Sequence, residues 1–186
     1  RVRIPLKEMM IDIGRMPDGS RYADTLEQIN RIINSRVFSE IDFVIKGIEN
    51  KTRKIAASRK EAMFRKRKTF YMDPNEFGEP MIYEGRVVQA RVVAVTEKVV
   101  RVEVFGVEAA IRARDLSWEW IGDAKDYYAV GDRILVRILK INRPSVENIT
   151  ITADVRSVSS TTNYDNLKKC LPQSRHAARV TDVRNG

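Results

Sequence analysis

The chain has 186 residues, with 34 Lys and Arg against 25 Asp and Glu, a formal net charge of +9, one Cys and one His. Its composition is typical of a globular protein. The single Cys170 and the single His176 exclude an internal disulfide framework and a metal centre built from several Cys or His. No apolar run approaches the roughly 18 residues that cross a membrane, and no signal-peptide pattern is present. We therefore expect a cytoplasmic protein without a membrane partner.

The first predicted element is an amphipathic helix inside an insertion at residues 20–38. Asp24 or Thr25 can cap this helix. Its apolar side would consist of Leu26, Ile29, Ile32 or Ile33, and Val37. Two interpretations stay open, because such a helix can close the end of a barrel or dock a partner protein.

A predicted hairpin follows, with strands at 42–48 and 54–57, and it leads into a strongly basic segment. Residues 51–70 hold nine cations and only one acid, Glu61, so they carry nearly all of the net charge. The cations are Lys51, Arg53, Lys54, Arg59, Lys60, Arg65, Lys66, Arg67 and Lys68. This concentration is typical of a protein that binds a polyanion. The alternative is a solvated helix that links two domains.

Five further strands are predicted after a linker at 67–84. They are expected at 86–95, 99–105, 108–113, 134–141 and 148–153, from β-branched and alternating residues bounded by turns. Five strands in residues 85–156, with a short helical stretch between the third and the fourth, indicate a small closed barrel of the OB type.

Two tryptophans, Trp118 and Trp120, follow the third of these strands. If exposed, they would form a stacking platform for bases. We expect instead that one of them fills the end of the barrel, as large aromatic residues commonly do.

Similar patterns recur along the chain. The hairpin at 41–58 corresponds to 132–154, residues 1–9 correspond to 108–116, and 177–186 correspond to 89–98. A repeat of about 100 residues therefore predicts one whole copy and two incomplete ones. The expected domains are the C-terminal part of a first repeat at 1–66, a complete repeat at 85–156, a linker at 157–174 and the first strand of a third repeat at 175–186.

The segment 85–117 resembles the RNA-binding domain of bacterial small-subunit ribosomal protein one, the S-one domain. The residues that carry the resemblance are Gly106-Val107-Glu108-Ala109, Ile111, Arg114-Asp115-Leu116-Ser117 and the later Val130-Gly131-Asp132. A Ser-Arg-Lys that closes the family pattern is present in the first copy as Ser58-Arg59-Lys60. The expected fold is mainly β with helices: five-stranded OB-type barrel repeats joined by helical linkers.

The resemblance also implies where RNA would bind. The family places aromatic residues on the second strand and a His on the third, and this sequence has Lys98, Arg101 and Arg112 there. Cations favour phosphate contacts, which do not read sequence, over base stacking. The predicted RNA-binding residues are Arg59, Lys60, Arg65, Lys66, Arg67, Lys68, Arg91, Lys98, Arg101 and Arg112.

The predicted function is therefore the binding of single-stranded RNA, largely without sequence preference, with a link to translation or the ribosome. We expect no cofactor and no enzymatic activity, since no nucleophile or acid–base set is apparent. The alternative is a protein-interaction or scaffold module whose barrels have lost the aromatic RNA face.

Overall fold

The structure is a computed structural model that describes residues 2–11, 18, 21–49, 54–159, 172, 173 and 175. The predicted third-repeat strand, most of the linker at 157–174 and the cations Lys51 and Arg53 lie outside these residues. None of the described helices is both long enough and apolar enough to cross a membrane.

The N-terminal part is a three-stranded sheet with one long helix. Strand β1 is Val2–Arg3, β2 is Val44–Glu49 and β3 is Lys54–Ser58, in the order β1-β3-β2. Strand β1 is parallel to β3, with Val2 opposite Ile55. Short 3₁₀ turns are present at Leu6–Glu8, and helix α1 is Tyr22–Ser35.

Helix α1 begins slightly earlier than the sequence predicts. Asp24 is its third residue, and its carboxylate accepts a 2.9 Å hydrogen bond from the backbone N–H of Arg21. This contact provides an acceptor for the backbone N–H of Arg21, the residue just before the helix, so the helix starts at Tyr22. A helix that closes a barrel would bury its apolar side, but α1 buries none of its residues completely.

Helix α2, Arg59–Arg67, follows β3 directly and continues as one wider π-helical turn at Lys68–Met72. Ser58 caps it, accepting a 3.0 Å hydrogen bond from the Glu61 backbone N–H. Basic residues in its last turn suit the negative end of the helix dipole.

The five predicted barrel strands are confirmed between residues 87 and 154. They are β4 (Val87–Val95), β5 (Val99–Val104), β6 (Val107–Arg112), β7 (Arg133–Asn142) and β8 (Thr150–Asp154). Neighbours are antiparallel in the order β6-β5-β4-β7-β8, and β6 lies beside β8, so the barrel is nearly closed. A short helix α3, Ala113–Leu116, and 3₁₀ turns at Ala124–Asp126 and Arg156–Ser159 complete it.

The core of the molecule lies inside this barrel. Inward residues of four strands, among them Val92, Val100, Val102, Val136 and Ile138, are fully buried. The end of the barrel is filled from the segment that follows β6, by Leu116, Ile121 and Ala124.

Tandem barrels are not seen, because only one barrel is present in the described part of the chain. The N-terminal sheet nevertheless has the same order as three barrel strands, with β1, β3 and β2 corresponding to β6, β8 and β7. Both antiparallel hairpins carry a bulge, at Ile45/Gly47 in one and at Ile138/Lys140 in the other. The correspondence of 41–58 with 132–154 as parts of a repeat stays a prediction.

Candidate nucleic-acid interface

Helix α2 packs its cations against the barrel rather than presenting all of them to solvent. Its buried side contains Arg59, Met63 and Arg67 at intervals of four residues, followed by Tyr71 in the π-helical turn. Four-residue spacing places these side chains on one face. The strongest positive charge in the sequence therefore lies partly inside an intramolecular contact.

Arg59 is only 4% exposed and bonds two acids of the barrel. Its Nη2 lies 3.1 Å from Glu103 on β5 and 3.1 Å from Glu108 on β6. Its other terminal nitrogen donates to the Met9 carbonyl at 3.0 Å. A guanidinium that is buried and bonded in this way is not accessible to a phosphate.

The Arg67 guanidinium is also bonded within the protein, in this case to backbone carbonyl groups. Its Nε donates to the Gly106 carbonyl at 2.7 Å, and its Nη1 donates to the Glu147 carbonyl at 2.8 Å. Burial lowers the pKa of its guanidinium, with the nearby Glu108 acting in the opposite direction. Two of the predicted RNA-binding residues, Arg59 and Arg67, thus attach α2 to the barrel.

The outward side of α2 carries Lys60 and Arg65, and Lys68 follows at the start of the π-helical turn; all three are exposed. Lys60 lies 5.5 Å from the Phe64 ring centre, and Arg65 bonds Glu61 one turn away at 2.6 Å. Exposed pairs of this kind are weak, so these cations remain accessible to a polyanion.

Lys66 and Arg91 belong to an ionic cluster between the N-terminal part and the barrel. Lys66 bonds Asp42 at 2.6 Å, and Arg91 bonds both Asp42 and Glu103. Burial acts to raise the pKa of the Asp42 carboxyl, but hydrogen bonds from Lys66 and Arg91 outweigh it and hold that pKa below its usual value. Arg91, although predicted as an RNA contact, is surrounded by acids.

Arg36 joins this cluster and was not apparent from the sequence. Its two terminal nitrogens bond the two carboxylate oxygens of Glu108, each at 2.8 Å. The partners are 72 positions apart, so no local pattern could have indicated the pair. We call these residues the ionic seam: Arg36, Asp42, Arg59, Lys66, Arg91, Glu103 and Glu108.

Arg101 and Arg112 lie together on the exposed outer face of β5 and β6. Arg101 is opposite Ala110, and Arg112 is opposite Val99, which makes the two arginines diagonal neighbours on one face. Diagonal Cβ atoms on paired strands are about 7–8 Å apart. Within the described residues, no acid is within ion-pair distance of either guanidinium.

Lys98 lies at the end of the same pair of strands. Its Nζ donates to the Gly122 carbonyl at 2.6 Å, is 3.0 Å from Glu97 and lies 5.7 Å from the Trp120 ring centre. Its side chain is 57% exposed, so it extends the Arg101–Arg112 surface while the adjacent Glu97 reduces its charge.

The tryptophans are where the sequence-based expectation is wrong. Trp118 is 52% exposed and Trp120 is 45% exposed, so neither fills the barrel end. The smaller Leu116, Ile121 and Ala124 occupy that position. The sequence contains an indication of this exposure, because both tryptophans flank the charged Glu119 in a polar segment.

A five-stranded antiparallel barrel with this order and a short helix after its third strand defines an OB-type domain. Residues 82–145 match the family model described as the S1 RNA binding domain. The predicted resemblance is thereby confirmed for the barrel.

Most of the chain is also similar to curated ribosomal proteins. It is 26% identical over 160 residues to the small ribosomal subunit protein bS1 of two Helicobacter pylori strains, J99 and 26695. The match covers 84% of this chain but only 27% of those proteins. The chain thus spans about a quarter of the length of these relatives.

Two solved structures show a limited likeness. A complex of a/eIF2alpha, aDim2p and rRNA from Pyrococcus horikoshii is 19% identical, covers 47% of this chain and 52% of that chain, and has a TM-score of 0.38. GSP13 from Bacillus subtilis is 14% identical, covers 52% and 65%, and has a TM-score of 0.35.

Proposed function

We propose that this protein binds single-stranded RNA on the outer face of the barrel, largely without sequence preference. The observation that carries the proposal is the pair Arg101 and Arg112, exposed on one face without an acid partner among the described residues. This pair lies within the segment that matches the S1 RNA binding domain. Phosphate groups need accessible cations of this kind.

The remaining predicted residues divide into two groups. Lys98 extends the barrel face. A second exposed basic surface, on α2 and the π-helical turn after it, consists of Lys60, Arg65 and Lys68. Four other cations hold α2 and the N-terminal part against the barrel, namely Arg59, Lys66, Arg67 and Arg91. We assign them a structural role and not a contact with RNA. A strand of RNA would follow the exposed groups only.

We further propose that the protein acts in translation, in the cytoplasm, and by binding rather than by catalysis. The similarity to ribosomal proteins over 84% of the chain supports this assignment. We also propose that the protein binds a partner on the ribosome, either RNA or protein.

The test is the salt dependence of binding to a short unstructured RNA, measured by fluorescence anisotropy. For single strands the logarithm of affinity falls with log salt at about 0.7 per neutralised phosphate. We expect the double variant R101Q/R112Q to reduce that slope by about 1.4. The control R21Q/R31Q removes the same charge from exposed positions of the α1 region. Equal slopes for the two variants would remove the barrel face from the proposal.

A second variant tests the α2 surface. K60Q/R65Q/K68Q removes its exposed cations and leaves Arg59 and Arg67 in place. We expect weaker binding and a lower slope, since long-range attraction and phosphate contact are both reduced. An unchanged slope would restrict RNA to the barrel face.

The alternative, a protein-interaction module, is favoured by one observation on α1. Its apolar residues Leu26 and Ile33 are 39% and 38% exposed, and Phe38 just beyond it is 94% exposed. Exposed apolar groups on a helix suit a partner protein. Absence of RNA binding in dilute buffer would favour this alternative.

A further inference from the structure

The barrel carries an aromatic surface at the end that adjoins Arg112. This surface takes no part in the phosphate contacts proposed for the exposed cations. Trp118 and Trp120 lie between β6 and β7 and are each about half exposed. A tryptophan that contributes to a core is normally largely buried, because it has the largest apolar surface of any side chain. Here other residues close the core, and about half of the surface of each tryptophan remains exposed.

Both rings are held by their surroundings. The Trp118 indole N–H donates to the Arg156 carbonyl at 3.0 Å, and the Arg156 guanidinium lies 4.8 Å from the ring centre. A Cβ added at Gly122 would lie 2.9 Å from the Trp120 ring, so only glycine permits this close approach. Fixed rings lose little conformational entropy when a ligand stacks on them.

The backbone places this surface next to the exposed cations. Ala113 N–H donates to the Lys98 carbonyl at 2.8 Å, and Ala124 N–H donates to the Glu97 carbonyl at 2.8 Å. The segment with the tryptophans is therefore bonded to the β4–β5 turn, and Arg112 comes directly before α3. The tryptophan segment, the Lys98 ammonium and the end of β6 that carries Arg112 therefore meet at one rim of the barrel.

We propose that Trp118 and Trp120 stack on bases of single-stranded RNA whose phosphates contact Lys98, Arg101 and Arg112. This inference rests on the proposed function and adds the base-contacting part of the site. Flat aromatic faces accept any base, so stacking contributes affinity without sequence preference. The tryptophans would supply the stacking that the cations at the family's aromatic positions do not.

The experiment uses the fact that these are the only two tryptophans in the sequence. Intrinsic tryptophan fluorescence is followed while oligoadenylate is added, and again with an abasic sugar-phosphate oligomer of equal length. We expect strong quenching by the oligoadenylate and little by the abasic oligomer. Anisotropy measured on the same samples reports binding independently of the indoles.

Variants then measure the contribution of each ring. W118A and W120A should each lower the affinity for oligoadenylate by roughly 5-fold or more, while leaving affinity for the abasic oligomer nearly unchanged. W120F should retain part of the affinity, and G122A should weaken binding by displacing the Trp120 ring. The control F77A removes an aromatic residue that is 87% exposed and lies in the loop before the barrel.

The outcomes separate this inference from the proposed function. If oligoadenylate and the abasic oligomer bind equally well without quenching, stacking is overturned while the phosphate-binding function stands. If neither oligomer binds in dilute buffer, both fail. If an alanine variant does not fold, as judged by its circular dichroism melting curve, the quenching of the unaltered protein decides the question.

Discussion

Arg59 shows how one buried cation can organise two parts of a chain. It bonds Glu103 and Glu108 of the barrel and the carbonyl of Met9, and it is nearly inaccessible to water. A buried charge needs such partners because its desolvation is costly. Removing the arginine would leave Glu103, which is 4% exposed, without one of its two hydrogen-bonding cations.

We expect R59A to reduce the free energy of unfolding by about 3–5 kcal/mol, the usual result when one partner of a buried pair is removed. Urea denaturation followed by circular dichroism measures this change. R65A is the matched control, because Arg65 lies on the same helix and its pair with Glu61 is exposed. Similar losses in the two variants would contradict the structural role of Arg59.

At the scale of elements, α2 lies directly over the β5–β6 turn. Phe105 and Gly106 form this two-residue turn with positive φ angles of 45° and 90°. The Phe70 ring stacks on Phe105 with centres 4.1 Å apart, and the Tyr71 hydroxyl donates to the Val104 carbonyl at 2.8 Å. Burial raises the pKa of Tyr71, which therefore stays a donor.

The variant G106A tests this contact. An added Cβ would lie 2.6 Å from the Met63 carbonyl oxygen, and the positive φ disfavours any side chain. G85A is the control, since Gly85 has a φ of 89° but open space around it. Each variant should lose roughly 1–3 kcal/mol through its backbone conformation. We expect a clearly larger loss of stability for G106A in thermal and urea unfolding. Equal losses would show that α2 can move away from the added Cβ without destabilising the protein.

The elements also show which features of the fold can be predicted from the sequence. The barrel strands were predictable to within about two residues, because β-branched runs and turns are local signals. The burial of Arg59 and Arg67 was not, because their partners Glu103, Glu108 and Gly106 are 39 to 49 positions away. Sequence places charge along the chain, but it does not reveal which charges neutralise each other. The exposure of the tryptophans was missed for a related reason, since it depends on which neighbours fill the barrel end.

For the whole molecule, the ionic seam joins the N-terminal part to the barrel through charged side chains. Asp42 on one side faces Lys66 and Arg91, with Glu103 bonded to the same arginine and Glu40 also near it. This contact depends on pH through the Asp42 carboxyl. The folded state holds the pKa of Asp42 below the ordinary 3.8, so folding favours the charged form.

The stabilisation by Asp42 is complete above pH 3.8 and is lost as the pH falls through its lower folded-state pKa. We expect D42N to be less stable than the original protein near neutral pH, and the difference to shrink below about pH 4. Urea midpoints measured from pH 2.5 upward, at fixed salt, check this expectation. A difference that is constant with pH would exclude linkage through Asp42.

The shortest strand of the fold has a consequence for the order of assembly. Strand β1 has two residues, and Val2 meets Ile55 only after the whole intervening chain has been brought into place. Closing so long a loop for so few hydrogen bonds is unfavourable early in folding, when hairpins between adjacent strands form more readily. Strand β1 should therefore dock last and detach first, so its amides should exchange with deuterium well before those of β4 and β5.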